Sequence, residues 1–190
     1  MEREYKGVYR ALRKHIDNYF RAHLIRELKW DKPPSSRVHP RFRVLEVAPG
    51  PKMDLWTYIS MGAWEDQHEP LGLLEFMLIV PKQNRRHVES LAMIAYYHLG
   101  NRLGPGHTFP LGEPWVEGSR CDHMLVSRPY LFEPELEICE LKDTHIHLLW
   151  LMPITRNERD FKIEYGQEAL EQLFNEAKIQ YWCIDRDSVV

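Results

Sequence analysis

A nearly unbroken apolar run from Ile146 to Ile154 constrains the fold more than any other part of this chain. The run is too short to cross a membrane as a helix, and it is typical of a strand that is covered on both faces. Pro153 has no amide hydrogen to offer a neighbouring strand, so the strand should end at Met152 or shortly afterwards. We therefore expect this strand at the centre of a sheet, with other strands and helices around it.

The residues that follow this run predict a capped helical turn in a charged connector and then one amphipathic helix. Thr155 and Glu158 have the spacing of a capping box, in which the hydroxyl and the carboxylate each accept a hydrogen bond from a backbone amide. Gly166 interrupts the pattern. Apolar residues then recur at helical spacing, at Ala169, Leu170, Leu173 and Phe174. The whole stretch Asp143–Phe174 is thus predicted to be a buried strand, a charged connector and an amphipathic helix.

The N-terminal part of the chain is basic and strongly helical in pattern. Apolar residues recur at three- and four-residue steps from Glu4 to Lys29, and Asp31–Pro40 follows as a linker or irregular arm rich in proline and serine. Residues 1–43 carry twelve Lys and Arg against five Asp and Glu, a net charge of +7, and the remainder carries thirteen against twenty-three, a net charge of −10. We expect the helix to pack on the sheet with its basic side in solvent, and we expect neither nucleic acid nor a membrane as a partner.

The remaining patterns predict strands, one further helix and one long loop. The predicted strands are Arg41–Ala48, Leu55–Gly62, Leu71–Pro81, Cys121–Arg128, Glu133–Leu141 and Ile179–Ile184. A helix is predicted over Asn84–Asn101, with Asn84 as its cap, and a loop over Leu103–Glu117. Glu75 lies in the middle of an apolar strand, where a carboxylate is costly unless it is paired. We expect an arginine or backbone amides to hold it, and a binding or catalytic role is the alternative.

This order of elements predicts an α+β fold with a mixed, largely antiparallel central sheet flanked by helices. We expect one domain over residues 1–190, in which residues 1–40 form the N-terminal helix and arm and residues 41–190 form the core. The three cysteines form no CxxC pair, which indicates reduced thiols in a cytoplasmic protein. The sequence opens with no signal-peptide pattern.

Histidines are the residues that most invite a chemical interpretation. His145 and His147 are two residues apart on a predicted strand, so their side chains share a face and could be two zinc ligands, with His107, His123 or Asp122 as a third. No known metal or nucleophile motif supports such a site. We therefore expect no catalytic residue, no metal and no cofactor. A metal-dependent enzyme that uses this histidine cluster is the alternative hypothesis.

Several segments together resemble the Suppressor of fused family. They are LWTYISMGAW, GLLEFMLIV, ESLAMIAYY, GHTF, SRCDHMLV, HLLWLMPITRNE, YGQEALEQLF and YWCIDRDSVV. The resemblance covers the chain from about Phe42 to the last residue and corresponds to the N-terminal domain of the family. It implies a protein-binding domain and not an enzyme. The animal members hold an extended peptide as an added strand, which is a β-augmentation mode of binding.

The resemblance also implies a class of partner. Shorter bacterial relatives look like stand-alone domains, some of them immunity proteins that neutralise a toxin. We expect this chain to be of that kind, and its partner to be a basic toxin or an extended peptide. A regulatory or scaffold domain that binds through its basic N-terminal helix is a further alternative. The oligomeric state is left open.

Five residues form the predicted partner-binding set. By the resemblance, Tyr97 corresponds to a tyrosine at the peptide site of the family. Pro105-Gly106-His107 stands where the animal proteins have Gly-Asp-His, so Gly106 replaces an acidic residue and His107 is retained. Glu135 and Glu137 are added because they alternate along a predicted acidic edge strand, which suits a basic partner.

Overall fold

The computed structural model describes residues 2–38, 40–65, 73–183 and 185–190. The described part of the chain contains six helices and eight strands. In chain order they are α1 (Glu2–Tyr19), β1 (Ile25–Lys29), α2 (Ser35–Val38), β2 (Arg43–Val47), β3 (Trp56–Met61), β4 (Leu73–Val80), α3 (Arg86–Asn101), β5 (Thr108–Pro110), β6 (His123–Ser127), α4 (Pro134–Glu137), β7 (Ile138–Glu140), β8 (His145–Ile154), α5 (Arg156–Tyr165) and α6 (Gln167–Glu176).

The chain divides into two compact units, and the first comprises Met1–Leu103 with Arg128–Trp150. Its strands follow the order β1-β2-β3-β4-β8, and β7 also pairs with β8. Pairing is antiparallel throughout this order except between β4 and β8, which run parallel with Leu73 opposite Ile146. Strands β3, β4 and β8 are almost completely buried, as the long apolar runs in the sequences of β4 and β8 predict.

The second unit comprises Gly104–Ser127 with Leu151–Val190. It contains the end of β8 together with β6 and β5, and β5 pairs antiparallel with β6 so that Phe109 lies opposite Met124. Helices α5 and α6 belong to it, and α6 buries Leu170 and Phe174. The strands of the protein form a mixed, largely antiparallel sheet with helices, which confirms the α+β fold class. That residues 1–190 form a single domain stays a prediction.

The central stretch of the sequence contains the predicted strand, cap and final helix, but the predicted charged connector is a ten-residue helix, α5. Strand β8 extends to Ile154, two residues past the predicted end at Met152. The capping box is present, because the Thr155 side chain accepts a hydrogen bond from the Glu158 amide and the Glu158 carboxylate accepts one from the Thr155 amide. Gly166 adopts φ of +92° between α5 and α6, a conformation that a residue with a side chain rarely adopts. The predicted break at this glycine is therefore confirmed.

The prediction of one helix over Glu4–Lys29 is wrong. Helix α1 ends at Tyr19, and Ile25–Lys29 forms strand β1, whose residues pair with β2 so that Ile25 lies opposite Val47. Leu24, which was predicted to face inward, is exposed. The segment carries few apolar residues, and the edge of β2 supplies the backbone hydrogen bonds that decide its conformation.

Four segments predicted as loops or strands differ from the prediction. A short helix, α2, lies in the predicted arm Asp31–Pro40, and β5 lies in the predicted loop Leu103–Glu117. The predicted strand Glu133–Leu141 begins instead as helix α4, because Pro134 at its first position favours a helical start, and only its last part is strand β7. The predicted strand Ile179–Ile184 is wrong for residues 179–183, of which 181 and 182 form a turn and the others have no regular structure, and Ile184 lies outside the described residues.

Helix α3 is shifted slightly from the prediction. It begins at Arg86, and its N-cap residue is Arg85, which makes no side-chain cap hydrogen bond, so the prediction of Asn84 as the cap is wrong. The Asn84 side chain still accepts a hydrogen bond from the Arg86 amide at 2.9 Å. Tyr96 was predicted to face inward but is exposed, and Ile94 and His98 are buried instead.

Candidate partner-binding surfaces

Glu75, the buried carboxylate in β4, is fully occupied by structural hydrogen bonds. One oxygen accepts a hydrogen bond from the Ser60 hydroxyl, and the other accepts from the amides of Gly62 at 2.5 Å and Ala63 at 3.1 Å. Burial raises the pKa of Glu75 to about 7, although these hydrogen bonds act in the opposite direction. Backbone amides hold this group, which is one of the two structural partners that the sequence predicted.

Glu158, the residue that completes the capping box, is the second fully buried carboxylate. Arg186 forms a two-pronged ion pair with it, with nitrogen–oxygen distances of 2.5 and 2.8 Å, and the Val189 amide donates a further hydrogen bond at 3.2 Å. Arg186 also donates a hydrogen bond to the Pro153 carbonyl at 3.0 Å. This group ties the C-terminal segment to the start of α5, so its role is structural.

The histidines are not gathered into a metal centre. The rings of His145 and His147 lie edge to face with centroids 4.7 Å apart, as their shared strand face predicts. His123 is buried, and its Nδ1 lies 2.7 Å from the Asp122 carboxylate, which also faces Arg156. Within the described ranges of the chain, no three His, Cys, Asp or Glu side chains are close enough together to hold a metal ion.

The buried cysteine of the second unit, Cys121, does not have the environment of a reactive nucleophile. Cys121 is buried, and burial raises the pKa of its thiol. A thiol in that state is a weak nucleophile. All three cysteines are free.

Tyr97 lies on the outer face of α3, in the first unit. Met93, Tyr96 and Tyr97 are exposed by 40%, 39% and 40%, and they are three and four residues apart along the helix. Residues at that spacing are neighbours on a helix surface. Tyr97 therefore belongs to an exposed patch of one methionine and two tyrosines, the α3 patch, of which the sequence prediction contained one member.

Gly106 and His107 lie together in the second unit, directly before β5. The Gly106 amide donates to the Val126 carbonyl at 2.8 Å, and the Val126 amide donates to the His107 carbonyl at 2.9 Å. Gly106 has φ of +82°, and a Cβ atom at this position would lie 2.9 Å from Oε1 of Gln167. The positive φ and the close side chain explain why this position carries glycine.

The junction of α5 and α6 lies beside this loop and presents an exposed apolar pair. Lys162 donates a hydrogen bond to the Gly106 carbonyl, whereas Ile163 is 64% exposed and Tyr165 is 58% exposed. Residues 163–171 carry three glutamates and no lysine or arginine. We call residues 163–171 the acidic elbow. The sequence prediction did not include it, and its one signal was two apolar residues that fall outside the buried face of the helix.

Glu135 and Glu137 lie on α4, a helical turn in the first unit, and not on the acidic strand that was predicted. A groove of about 890 Å³ lies beside this turn, lined by His15, Asn18, Tyr19, Arg21, Ala22, Pro51, Lys52, Glu133 and Glu135. Lys52 pairs with Glu133, and Arg128 lies 3.7 Å from Glu137. Neighbouring cations therefore offset much of the negative charge that the prediction placed here.

Known proteins share the sequence pattern and the fold of this chain. The family described as Suppressor of fused protein (SUFU) matches residues 39–187. The chain belongs to this family. Among SUFU relatives of known structure, a SUFU homologue from Neisseria gonorrhoeae FA 1090 is 33% identical, with a TM-score of 0.83, and the match covers 95% of this chain and 96% of that one.

Two more distant SUFU structures share the fold. A chain of the Sufu–Fu complex is 12% identical with a TM-score of 0.69, and the match covers 95% of this chain and 91% of that chain. Drosophila Suppressor of Fused is 13% identical with a TM-score of 0.59, and the match covers 97% of this chain but 50% of that one. Among curated proteins, Immunity protein YqcF of Bacillus subtilis (strain 168) is 22% identical over 170 residues, which are 85% of this chain and 86% of that protein.

No helix in the described part of the chain is both long enough and apolar enough to cross a membrane.

Proposed function

We propose that this SUFU-family chain is a cytoplasmic immunity protein that binds and neutralises a basic protein toxin without catalysis and without a cofactor. The observation that carries the proposal is the similarity to Immunity protein YqcF, which extends over most of both chains. The Sufu–Fu complex supports the more general part, because a protein of the same fold is there associated with a protein partner.

The acidic elbow supports a basic partner. Tyr165 and Ile163 offer exposed apolar surface, and tyrosine is among the residues that contribute most to binding energy at interfaces. The three glutamates around them create a negative potential that attracts a basic protein and accelerates its association. Gly106 and His107 lie next to this surface, so two of the five predicted residues are proposed as part of it.

The α3 patch is the second proposed contact surface and contains Tyr97. Two exposed tyrosines and a methionine can bury apolar area against a partner, and their rings lose little conformational freedom on binding. Glu135 and Glu137 are retained in the proposal as a rim of the groove beside α4, where their charges contribute more to the rate of association than to affinity.

The experiment is co-expression with the products of neighbouring genes. Each neighbouring open reading frame is expressed in a bacterial host with and without this chain, and growth is recorded. We expect one product to arrest growth and this chain to restore it, with both proteins co-purifying as one complex. If no neighbouring product is toxic, or if growth is not restored, the immunity proposal is wrong.

A charge-reversal variant tests the surface. Glu164→Lys with Glu168→Lys should abolish rescue because both substitutions place positive charge where a basic toxin would bind. Asp143→Lys is the matched control, since Asp143 is an exposed acidic residue of the first unit. Rescue by the elbow variant at the level of the control would exclude the acidic elbow from the interface.

A further inference from the structure

A groove of opposite charge lies in the first unit, where the N-terminal half of α1 faces β1 and β2. Its volume is about 480 Å³, and it is lined by Tyr5, Lys6, Tyr9, Arg10, Arg13, Glu27, Arg41 and Arg43. Five of these side chains are cationic and one is anionic, which gives the lining a net charge of +4. Arg13 pairs with Asp17 and Arg41 with Glu65, so a net charge of +2 remains once these two partners are counted. We call these residues the basic groove. Its volume falls within the range of roughly 300–1,000 Å³ that is usual for ligand-binding clefts.

The basic groove already holds one carboxylate, that of Glu27 in β1. The Tyr9 hydroxyl donates a hydrogen bond to it, and Arg13 and Arg43 approach it to 3.7 and 3.6 Å. Guanidinium groups and a phenol hydroxyl are donors that match the oxygens of a carboxylate. The contacts of Glu27 thus show, within the protein itself, the kind of anion that these side chains accept.

The open side of the groove carries exposed cationic groups. Lys6 and Arg10 are exposed, and they lie on the same side of α1 because they are four residues apart. Arg10 forms no ion pair within the described residues, whereas Arg13 is held by Asp17 at 2.9 Å. A second anion can therefore approach Arg10 without displacing an internal partner.

The aromatic rings of the groove are already used in packing. The Tyr5 ring lies 5.2 Å from that of Trp64 and 6.1 Å from that of Tyr9, and the Arg41 guanidinium lies over Tyr5 at 3.9 Å. Proteins that bind single-stranded nucleic acids need ring faces on which bases can stack. What this groove offers instead is cationic groups beside polar hydroxyls, which favours an acidic peptide over a nucleic acid.

We propose that the basic groove binds an acidic segment of a protein partner, a stretch of chain rich in aspartate and glutamate, with Lys6 and Arg10 as its outer contacts. The groove together with its two ion-pair partners, Asp17 and Glu65, keeps a net charge of +2, which complements the negative charges of the segment. This binding site does not depend on the proposed toxin or on the acidic elbow. It gives the protein a second recognition surface, selective for the opposite charge.

The test uses a fluorescein-labelled peptide of eight residues that alternates glutamate and serine, with fluorescence anisotropy as the readout. The full-length chain is titrated into this peptide, into the peptide with every glutamate replaced by glutamine, and into an oligothymidylate of equal charge. Two double variants are compared with the wild type: Lys6→Gln with Arg10→Gln in the groove, and Lys14→Gln with Arg21→Gln, which removes two exposed cations that do not line it. Far-UV circular dichroism checks that both variants fold.

We expect saturable one-to-one binding of the glutamate peptide, weaker binding of the glutamine peptide, and a decrease in affinity as salt is raised. Loss of two exposed ion pairs should weaken the groove variant roughly three- to thirty-fold, while the control variant should bind like the wild type. Equal binding of the glutamate and glutamine peptides would overturn the proposal. So would equal losses in both variants, tighter binding of the oligothymidylate, or no binding at all.

Discussion

Glu75 in the first unit and Glu158 in the second are both fully buried carboxylates, but the protein stabilises them differently. Glu75 accepts hydrogen bonds from one hydroxyl and from backbone amides, and no lysine or arginine of the described chain pairs with it. Glu158 has the same need for donors and meets it with the guanidinium of Arg186 as well as amides. One carboxylate is thus uncompensated in charge, and the other is neutralised.

This difference bears on function. In an enzyme, a buried carboxylate with a raised pKa is a candidate general acid or base. Here the oxygens of both carboxylates are occupied by donors from neighbouring segments of the fold, and they serve to fix strand β4 and the C-terminal segment. The exposed side chains proposed to contact a partner lie in the α3 patch, the acidic elbow and the basic groove. That distribution suits a protein that binds and does not catalyse.

The largest effect is expected at the neutralised carboxylate. Arg186→Met would leave Glu158 buried without its cation and should lower the free energy of unfolding by about 3–5 kcal/mol. Chemical denaturation at neutral pH measures this loss in the free energy of unfolding. Arg120→Met is the control, since Arg120 pairs with Asp187 on the exposed surface, where ion pairs contribute about 0–1 kcal/mol. Similar losses in the two variants would contradict the assigned importance of the buried pair.

The uncompensated carboxylate should instead make stability depend on pH. The pKa of Glu75 is raised from 4.5 to about 7, so the folded state holds the proton more tightly than the unfolded chain does. The corresponding stability is complete below pH 4.5 and is lost as the pH rises through 7, by about 3 kcal/mol. Glu75→Gln mimics the protonated acid and should remove this component. Chemical denaturation of the wild type and of Glu75→Gln from pH 4.5 to 8 measures this pH dependence. Parallel curves of unfolding free energy against pH would contradict the prediction.

A smaller effect is expected where Glu158 meets the helix start. Thr155→Ala removes the hydroxyl that accepts a hydrogen bond from the Glu158 amide and should lower the free energy of unfolding by about 1 kcal/mol. Thr155→Ser keeps a hydroxyl and should keep most of that stability. Thermal unfolding followed by circular dichroism distinguishes them. Equal losses for alanine and serine would show that the threonine methyl group, and not the cap, is what matters.

The smallest effect on stability is expected on the surface. Tyr165→Ser should change the free energy of unfolding by less than about 0.5 kcal/mol, because its side chain is 58% exposed. Tyr97→Ser should cost somewhat more, because that side chain is 40% exposed. The same variants should weaken binding to the toxin. A large loss of stability in either variant would mean that the tyrosine supports the fold and is not reserved for a partner.

The sequence predicted those parts of the fold that are determined by local patterns. Strand β8, the Thr155 cap and the break at Gly166 follow from nearby residues, and the structure confirms them. Strand β1 was missed because its conformation depends on hydrogen bonds to β2, which is distant in sequence. Helix α4 was missed because alternating Glu and apolar residues outweighed the signal of Pro134.

The candidate surfaces were less predictable than the fold. Family resemblance pointed to Tyr97, Gly106 and His107, and these stay predictions. The exposure of Ile163 and Tyr165 could not be read from the sequence, since apolar residues on a helix are usually buried and only the packing shows which are not. The basic groove could not be derived either, because it joins the N-terminal half of α1 to Arg41 and Arg43.

Titration of the toxin activity with this chain tests the central claim most directly. A protein that neutralises by binding should abolish that activity at one equivalent, with a linear decrease up to that point and no further change with time. Complete loss of activity at a small fraction of an equivalent, progressing with time, would mean that the chain acts as a catalyst and would contradict the account.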